Sequence, residues 1–277
     1  IMDSVRVLKT ELSVTNIDEV TENLIFIYII VSIMDSVRIL KTDISVTSIH
    51  EVSSFLMTNK NVSVAICNVN TLVRCYRNEE LNKILNSFSI KCPDGFPVAK
   101  ASHLLYKNNQ KRVDGYKVFL ATIKKSLEEN KSHYFFGSTE EVTKKMISEL
   151  KIMFPDINIK GFFCPPILSH DELNENKYIS DLIEKKPDIL WVSLGFPKQE
   201  QFINLINNID ELNTNMIGVG AVFEWAAKTK YKAPEWLAEL GFEWIVRLIQ
   251  EPKRLLRRYL VDNFLFIIYF VKQYFKN

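Results

Sequence analysis

PDILWVSLGFPKQE, residues 187–200, decides the fold. Pro187-Asp188 breaks the chain ahead of ILWVSLG, a short apolar run of the kind found in strands buried on both faces. Gly195 turns the chain, and Pro197 stands where a helix tolerates proline, at its first turn. Lys198, Gln199 and Glu200 then open a helix that runs through Ile206. A strand feeding a helix in this way is half of a βαβ unit.

The same grammar extends in both directions. Downstream, Met216 to Val219 reads as a strand leading into GVGAVFEW, residues 218–225, whose Gly218 and Gly220 suit close backbone approach but lack the third glycine of a dinucleotide fingerprint. Upstream, HYFF at 133–136 is a strand that stops at Gly137, and Ser138 with Glu141 reads as a capping box for a helix over 140–153. Ile157 to Phe163 follows as a strand, then a helix near Asp171 to Lys185. Earlier still, VSVAIC at 62–67 is a strand and Glu79 to Ser87 lies in a helix, while PDG at 93–95 puts Asp94 on a tight turn at a strand end. Val37 to Leu40 reads as a short strand before a helix around Ile49 to Met57. Such alternation predicts an α/β fold, a Rossmann-like mostly parallel sheet flanked by helices, with ligands at the carboxyl ends of its strands.

The first segment stands apart. IMDSVRVLKTELSVTNIDEV at 1–20 returns as IMDSVRILKTDISVTSIHEV at 33–52 with five differences, and the period does not recur. Residues 1–33 are therefore expected to be a duplicated extension, 34–245 an α/β core, and 246–277 a helical appendage. The apolar runs Leu24 to Met34 and Phe264 to Val271 both fall short of the roughly 20 residues a spanning helix needs.

Composition narrows the classes further. With 47% hydrophobic and 25% charged residues the chain can bury a sizeable core, and a formal charge of +2 implies no nucleic-acid partner. Cys67, Cys75, Cys92 and Cys164 form no CxxC pair and have no histidine at ligand spacing, so neither zinc nor a disulfide framework is expected. A reducing cytoplasm is the expected compartment, since no basic segment precedes an apolar run at the start.

The densest chemistry lies in EWIVRLIQEPKRLLRRYL, residues 243–260. Pro252 starts a helix on which Arg254, Arg257 and Arg258 share one side, with Arg247 in the helix before it. Guanidinium groups bind diphosphate oxygens in forked pairs, although a solvated basic face has the same spacing. The run FLFIIYFV beyond them suits an interfacial helix on an anionic membrane, and equally a helix buried in a homo-oligomer.

NVNTL, PDG, RVDG, YFFG, PDILWVSLGFPKQE, IGVGAVFEW and the block from Lys232 to Leu260 occur in one unbroken order, and that order resembles the WecG/TagA/CpsF glycosyltransferases, family 26. The resemblance covers residues 34 to 260. It implies transfer of N-acetylmannosamine, its uronic acid or a related sugar from UDP to a polyprenyl-diphosphate-linked acceptor, at the inner face of the cell membrane. Residue by residue it implies Asp94 as general base and Asn68 as an active-site asparagine, with Arg112 of RVDG, Gln199 of PKQE, Glu224, Arg247, Arg254 and Arg257 contacting substrate. Ile66 stands where the family often has threonine, and Glu224 where many members have aspartate.

The chemistry fits that implication. An acceptor hydroxyl needs a positioned base for a single displacement, and Asp94 suits the role. No Asp-x-Asp pair occurs in the chain, so arginines are expected to stabilise the leaving group without a metal or other cofactor. Two other classes share parts of the pattern. A nucleotide-dependent oxidoreductase would carry a complete GxGxxG with an acidic residue beyond it, and a non-catalytic basic membrane-binding protein would use the same tail.

Overall fold

A computed structural model describes residues 35–166, 179–209 and 212–276 of the chain. Its element order opens with a hairpin, β1 (Ser36–Ile39) and β2 (Thr42–Ser45), followed by α1 (Ile49–Thr58). Then come β3 (Ser63–Cys67), α2 (Val69–Arg77), α3 (Glu79–Asn86), β4 (Ile90–Pro93), α4 (Phe96–Tyr106) and α5 (Gly115–Glu128). The second half runs β5 (Ser132–Gly137), α6 (Glu140–Met153), β6 (Asn158–Phe163), α7 (Ser180–Lys185), β7 (Ile189–Ser193), α8 (Lys198–Ile206) and β8 (Asn215–Gly218). Four helices close the chain: α9 (Val222–Ala226), α10 (Glu235–Glu239), α11 (Glu243–Gln250) and α12 (Pro252–Tyr274).

Strands β3 to β8 make one parallel sheet in the order β4-β3-β8-β7-β5-β6. Strand side chains alternate between faces, so each central strand feeds two apolar layers. Tyr134, Phe136, Leu190 and Val192 pack on one side with Phe202 and Leu72. Phe135, Ile189 and Trp191 pack on the other with Phe119 and Phe223. β6, at the edge, is the strand left partly open, and it carries Lys160 there.

Two expectations need amendment, and one lies partly outside the described residues. The helix after β5 is capped by Thr139, whose side chain accepts from the Val142 N–H, and not by Ser138. Ser138 instead takes a left-handed conformation, φ 58°, and donates its N–H to the Ser193 carbonyl, so the turn uses up one more residue than the capping box assumes. The stretch after β1 is no simple lead-in to a helix but returns as β2 in an antiparallel hairpin. Of the helix expected near Asp171 to Lys185, α7 is the part within the described residues; the start of that helix and the duplicated extension at 1–33 lie outside them.

The long helix α12 lies against the body. Leu255 and Phe266 are buried, Tyr269 stacks on Tyr76 of α2 with ring centroids 4.3 Å apart, and the Gln273 amide accepts from Leu40 N–H and donates to the Arg38 carbonyl. Its outer face is apolar too: Leu256, Leu260, Phe264, Ile267 and Val271 are all exposed. No described helix is long and apolar enough to cross a membrane.

A buried polar chain threads the core beneath β5 and β7. Trp191 Nε1 donates to His133 Nδ1 at 3.1 Å, which leaves the proton of the neutral ring on Nε2 to donate to Ser126 Oγ at 2.7 Å, and Ser126 donates on to the Ile123 carbonyl. Burial lowers His133 to about 4, against about 6.5 when unfolded. The unfolded chain therefore takes the proton first, and the contribution of His133 is complete above pH ~6.5 and lost as pH falls toward 4. That loss is worth about 3 kcal/mol. His133→Gln keeps an acceptor and a donor but does not titrate, so the stability advantage of wild type over the variant should shrink by up to ~3 kcal/mol between pH 7 and pH 4 in denaturant titrations. An advantage independent of pH would contradict the depressed value.

Candidate active site

Five strands of the sheet end on one cleft of about 310 Å³. Asn68 follows β3, Asp94 follows β4, Ser138 follows β5, Gly195 follows β7 and Gly220 follows β8, and all five lie at the turns where those strands hand over to helices. Glycine is needed where the turns crowd. At Gly137, φ 112°, a Cβ would stand 2.4 Å from the Ser193 carbonyl oxygen, so only glycine lets the ends of β5 and β7 approach.

Asp94 continues the sheet, donating its N–H to the Cys67 carbonyl at 2.8 Å, and its carboxylate meets Arg112 Nε at 3.2 Å. Arg112 also holds Asp114 at 2.5 Å and Glu243 of α11. Three carboxylates thus share one guanidinium. Asp114 has compensation of its own, from Lys232 at 2.9 Å and from the Lys117 N–H that it caps at 2.9 Å, and with Arg112 these hold its pKa below the usual carboxylate value in spite of burial. Asp94 has no such second partner. Burial pushes it up to about 6, with Arg112 pulling down and Asp114 and Glu243 pushing up.

Gln199, buried at the start of α8, accepts with Oε1 from both the Gly195 N–H at 3.2 Å and the Gly220 N–H at 3.0 Å. Its Nε2 donates to Glu200 Oε1 at 2.9 Å. One amide therefore ties together the turns after β7 and β8, which shape the cleft floor. Glu200 is 2% exposed, its Oε2 has no partner, and burial raises it to about 7 with the Gln199 hydrogen bond opposing.

Glu224 pairs with Lys230 at 2.7 Å, and Lys230 reaches Glu251 at 2.6 Å, which also pairs with Arg254. Arg247 lies over the Trp225 ring, 5.3 Å from its centroid. Glu224, Arg247 and Arg254 all line the cleft with Asn68, Asp94, Arg112 and Gln199. Arg257 does not: it is exposed and outside the cleft. Its neighbour Arg258, absent from the residues that the resemblance singles out, lines it instead. The spacing puts both on one side of the helix, and only packing separates them. Asn68 spends its Oδ1 on the Thr71 N–H as the cap of α2, leaving its NH₂ to offer.

A second, smaller cleft of about 140 Å³ adjoins the first and shares Asn68, Asp94, Arg112, Arg247 and Arg258 with it. It runs outward between the start of α4, α11 and α12, past Phe96, Trp244 and Tyr259. Asp94 is a wall common to both. Among the described residues no group of three or more His, Cys, Asp or Glu side chains is arranged to hold a metal ion.

The Gln199–Glu200 pair predicts a graded response. Glu200→Gln keeps an acceptor for the Gln199 NH₂ and should fold with near wild-type stability at pH 7. Glu200→Leu strands that NH₂ in the interior and should lower stability by about 1–3 kcal/mol in chemical denaturation. Equal losses in the two variants would show that packing, and not the hydrogen bond, is what Glu200 supplies.

Comparison with known proteins agrees with the motif order. A protein of Bacillus spizizenii named N-acetylglucosaminyldiphosphoundecaprenol N-acetyl-beta-D-mannosaminyltransferase is 27% identical over 203 residues, 73% of this chain and 76% of the relative. A Staphylococcus aureus protein of the same name is 29% identical over 195 residues, 70% of this chain and 74% of the relative. The model of the "Glycosyl transferase WecG/TagA/CpsF family" matches residues 37–277, which takes in every strand of the sheet and every residue of both clefts, and the chain belongs to that family of glycosyltransferases.

Proposed function

We propose that the chain is an inverting glycosyltransferase that moves an N-acetylhexosamine-type sugar, N-acetylmannosamine or a close derivative, from a UDP-sugar to a polyprenyl-diphosphate-linked acceptor. The observation that carries this is Asp94, a carboxylate of raised proton affinity on the wall between two adjoining clefts. The printed names of the relatives, which specify an N-acetylglucosaminyl-diphospho-undecaprenol acceptor and an N-acetyl-beta-D-mannosaminyl group, support the choice of substrates.

The donor belongs in the larger cleft, at the carboxyl ends of the strands, where a parallel sheet offers its turns and helix N-termini to anionic ligands. Arg247 and Arg254 line it and stabilise the diphosphate as it leaves. The acceptor hydroxyl enters from the smaller cleft, and Asp94 takes its proton as the hydroxyl oxygen attacks the anomeric carbon and the bond to the diphosphate breaks. Arg112 holds Asp94 in place, and burial, with Asp114 and Glu243 adding to it against the pull of Arg112, keeps the carboxylate proton-accepting.

Membrane association supplies the acceptor. The outer face of α12 and the neighbouring Trp236, Leu240, Phe242 and Ile249 expose large apolar side chains, with Lys253, Arg257 and Lys272 exposed beside them. An apolar face fringed by cations is what an anionic membrane surface binds, and the helix that carries it also lends Arg258, Tyr259, Asp262 and Asn263 to the smaller cleft.

A base must be ionised to act, so kcat/KM should rise as pH climbs through about 6 and level off above it. Asp94→Asn should retain UDP binding by calorimetry and lose about a hundred- to ten-thousand-fold in transfer. Wild-type turnover by the Asn variant would remove Asp94 from the mechanism. For the membrane, Leu260→Ser, Phe264→Ser and Ile267→Ser together alter only exposed positions. The triple variant should keep its circular dichroism spectrum and bind phosphatidylglycerol vesicles at least about tenfold more weakly in co-sedimentation. Retention equal to wild type would mean that the face meets something other than lipid.

A further inference from the structure

We infer that Arg258 receives the diphosphate of the lipid-linked acceptor, which makes the smaller cleft an acceptor subsite that combines a base, a cation and an apolar mouth; the inference rests on the transfer reaction proposed above. Among the arginines of α12 the fold treats Arg258 differently. Arg254 is paired with Glu251 and exposed, and Arg257 is exposed. Arg258 is drawn inward, its Nε is buried with no hydrogen-bond partner, and no carboxylate pairs with it among the ion pairs of the described residues. Asp262, the acid one turn along α12, gives an oxygen to the Asn70 amide instead. Burial and the nearby charge of Arg247 hold Arg258 below the ordinary guanidinium value, in keeping with an unmatched cation.

Leaving a guanidinium donor desolvated and unbonded is costly, and an anion with oxygens to fill the fork removes that cost. The geometry says which anion. Both substrates carry a diphosphate, but the smaller cleft, unlike the larger, brings Asp94 and Arg258 together with Phe96 and Trp244, whose rings are exposed. An acceptor presents a counterpart to each of the three: the hydroxyl to be deprotonated, the diphosphate on the same sugar, and the prenyl chain. The donor ends in a polar nucleoside and has no use for an apolar mouth.

Binding measurements decide the assignment independently of turnover. Arg258→Gln keeps size and polarity without charge, and Arg258→Lys keeps charge without the fork. Calorimetry with a short-chain prenyl-diphosphate-N-acetylglucosamine should show the dissociation constant rising about ten- to a hundredfold in the Gln variant and less in the Lys variant. The dissociation constant of UDP should stay within about twofold of wild type, since one lost charge contact to it would cost about tenfold. In transfer assays the acceptor KM should rise in parallel while the donor KM holds. Equal acceptor affinity in wild type and Arg258→Gln, or a loss confined to UDP, would overturn the assignment. A wild-type protein that binds both molecules and transfers nothing would refute the proposed reaction, and the split between acceptor and UDP affinities would still decide the role of Arg258.

Discussion

One guanidinium, that of Arg112, joins the parts of this molecule that chemistry requires to be joined. It bonds Asp94 at the end of β4, Asp114 at the start of α5 and Glu243 at the start of α11, segments far apart in sequence. Burying a cation among three carboxylates is tolerable because the charges offset one another's desolvation, and Lys232 offsets one of the two negative charges that Arg112 leaves over, through Asp114. The strands bring Asp94 to the cleft, where burial raises its proton affinity; Arg112 holds it in position and limits that rise, and through Glu243 it ties α11, which carries Arg247, to the site.

The division of labour between sheet and C-terminal helices follows. Turns after β7 and β8, held by the Gln199 amide, are built of glycine and apolar residues, Leu194, Gly195, Phe196, Val219, Gly220 and Ala221, and they give an uncharged floor. Gln199 lines the cleft as its motif implies, yet its hydrogen bonds run to Gly195, Gly220 and Glu200, so its part is to shape the site. The positive charge comes from the other side, on α11 and α12 and from Lys230 beside them. A floor without charge under a roof of arginines suits a ligand whose charge grows as the reaction proceeds, because the roof is oriented before that charge appears.

How far the sequence reveals this depends on the range of the interaction. The parallel sheet was legible because runs such as ILWVS and SVAIC are apolar throughout, and turn residues close them off. The hairpin β1–β2 was not, because its second strand, TDIS, is too short and polar to show a period. The cap after β5 slipped by one residue, since Ser138 and Thr139 are equally good caps and only the close approach of β5 to β7 selects Thr139. At the site, motif order picked out residues that line the cleft, Asp94, Asn68, Arg112, Gln199, Glu224, Arg247 and Arg254. It could not separate Arg257 from Arg258, or reveal that Glu243 and Lys232 complete the Arg112 cluster. Those facts depend on how α11 and α12 pack, and adjacent arginines in a helix differ by only a 100° turn.

The outer face of α12 then acquires a reason. An exposed row of Leu256, Leu260, Phe264, Ile267 and Val271 is a liability for a protein surrounded by water, and a helix of 23 residues, about 34 Å long, presents it as one continuous stripe. The inner face of the same helix is committed: Leu255 and Phe266 enter the core, and Gln273 bonds the hairpin. Rotating the helix to hide the stripe would pull Arg258 out of the clefts and break those contacts. Orientation of the arginines toward the site and of the apolar stripe away from it are therefore one constraint. In the membrane-bound state proposed above, a lipid surface covering the stripe would also hold the roof of the site in its working position.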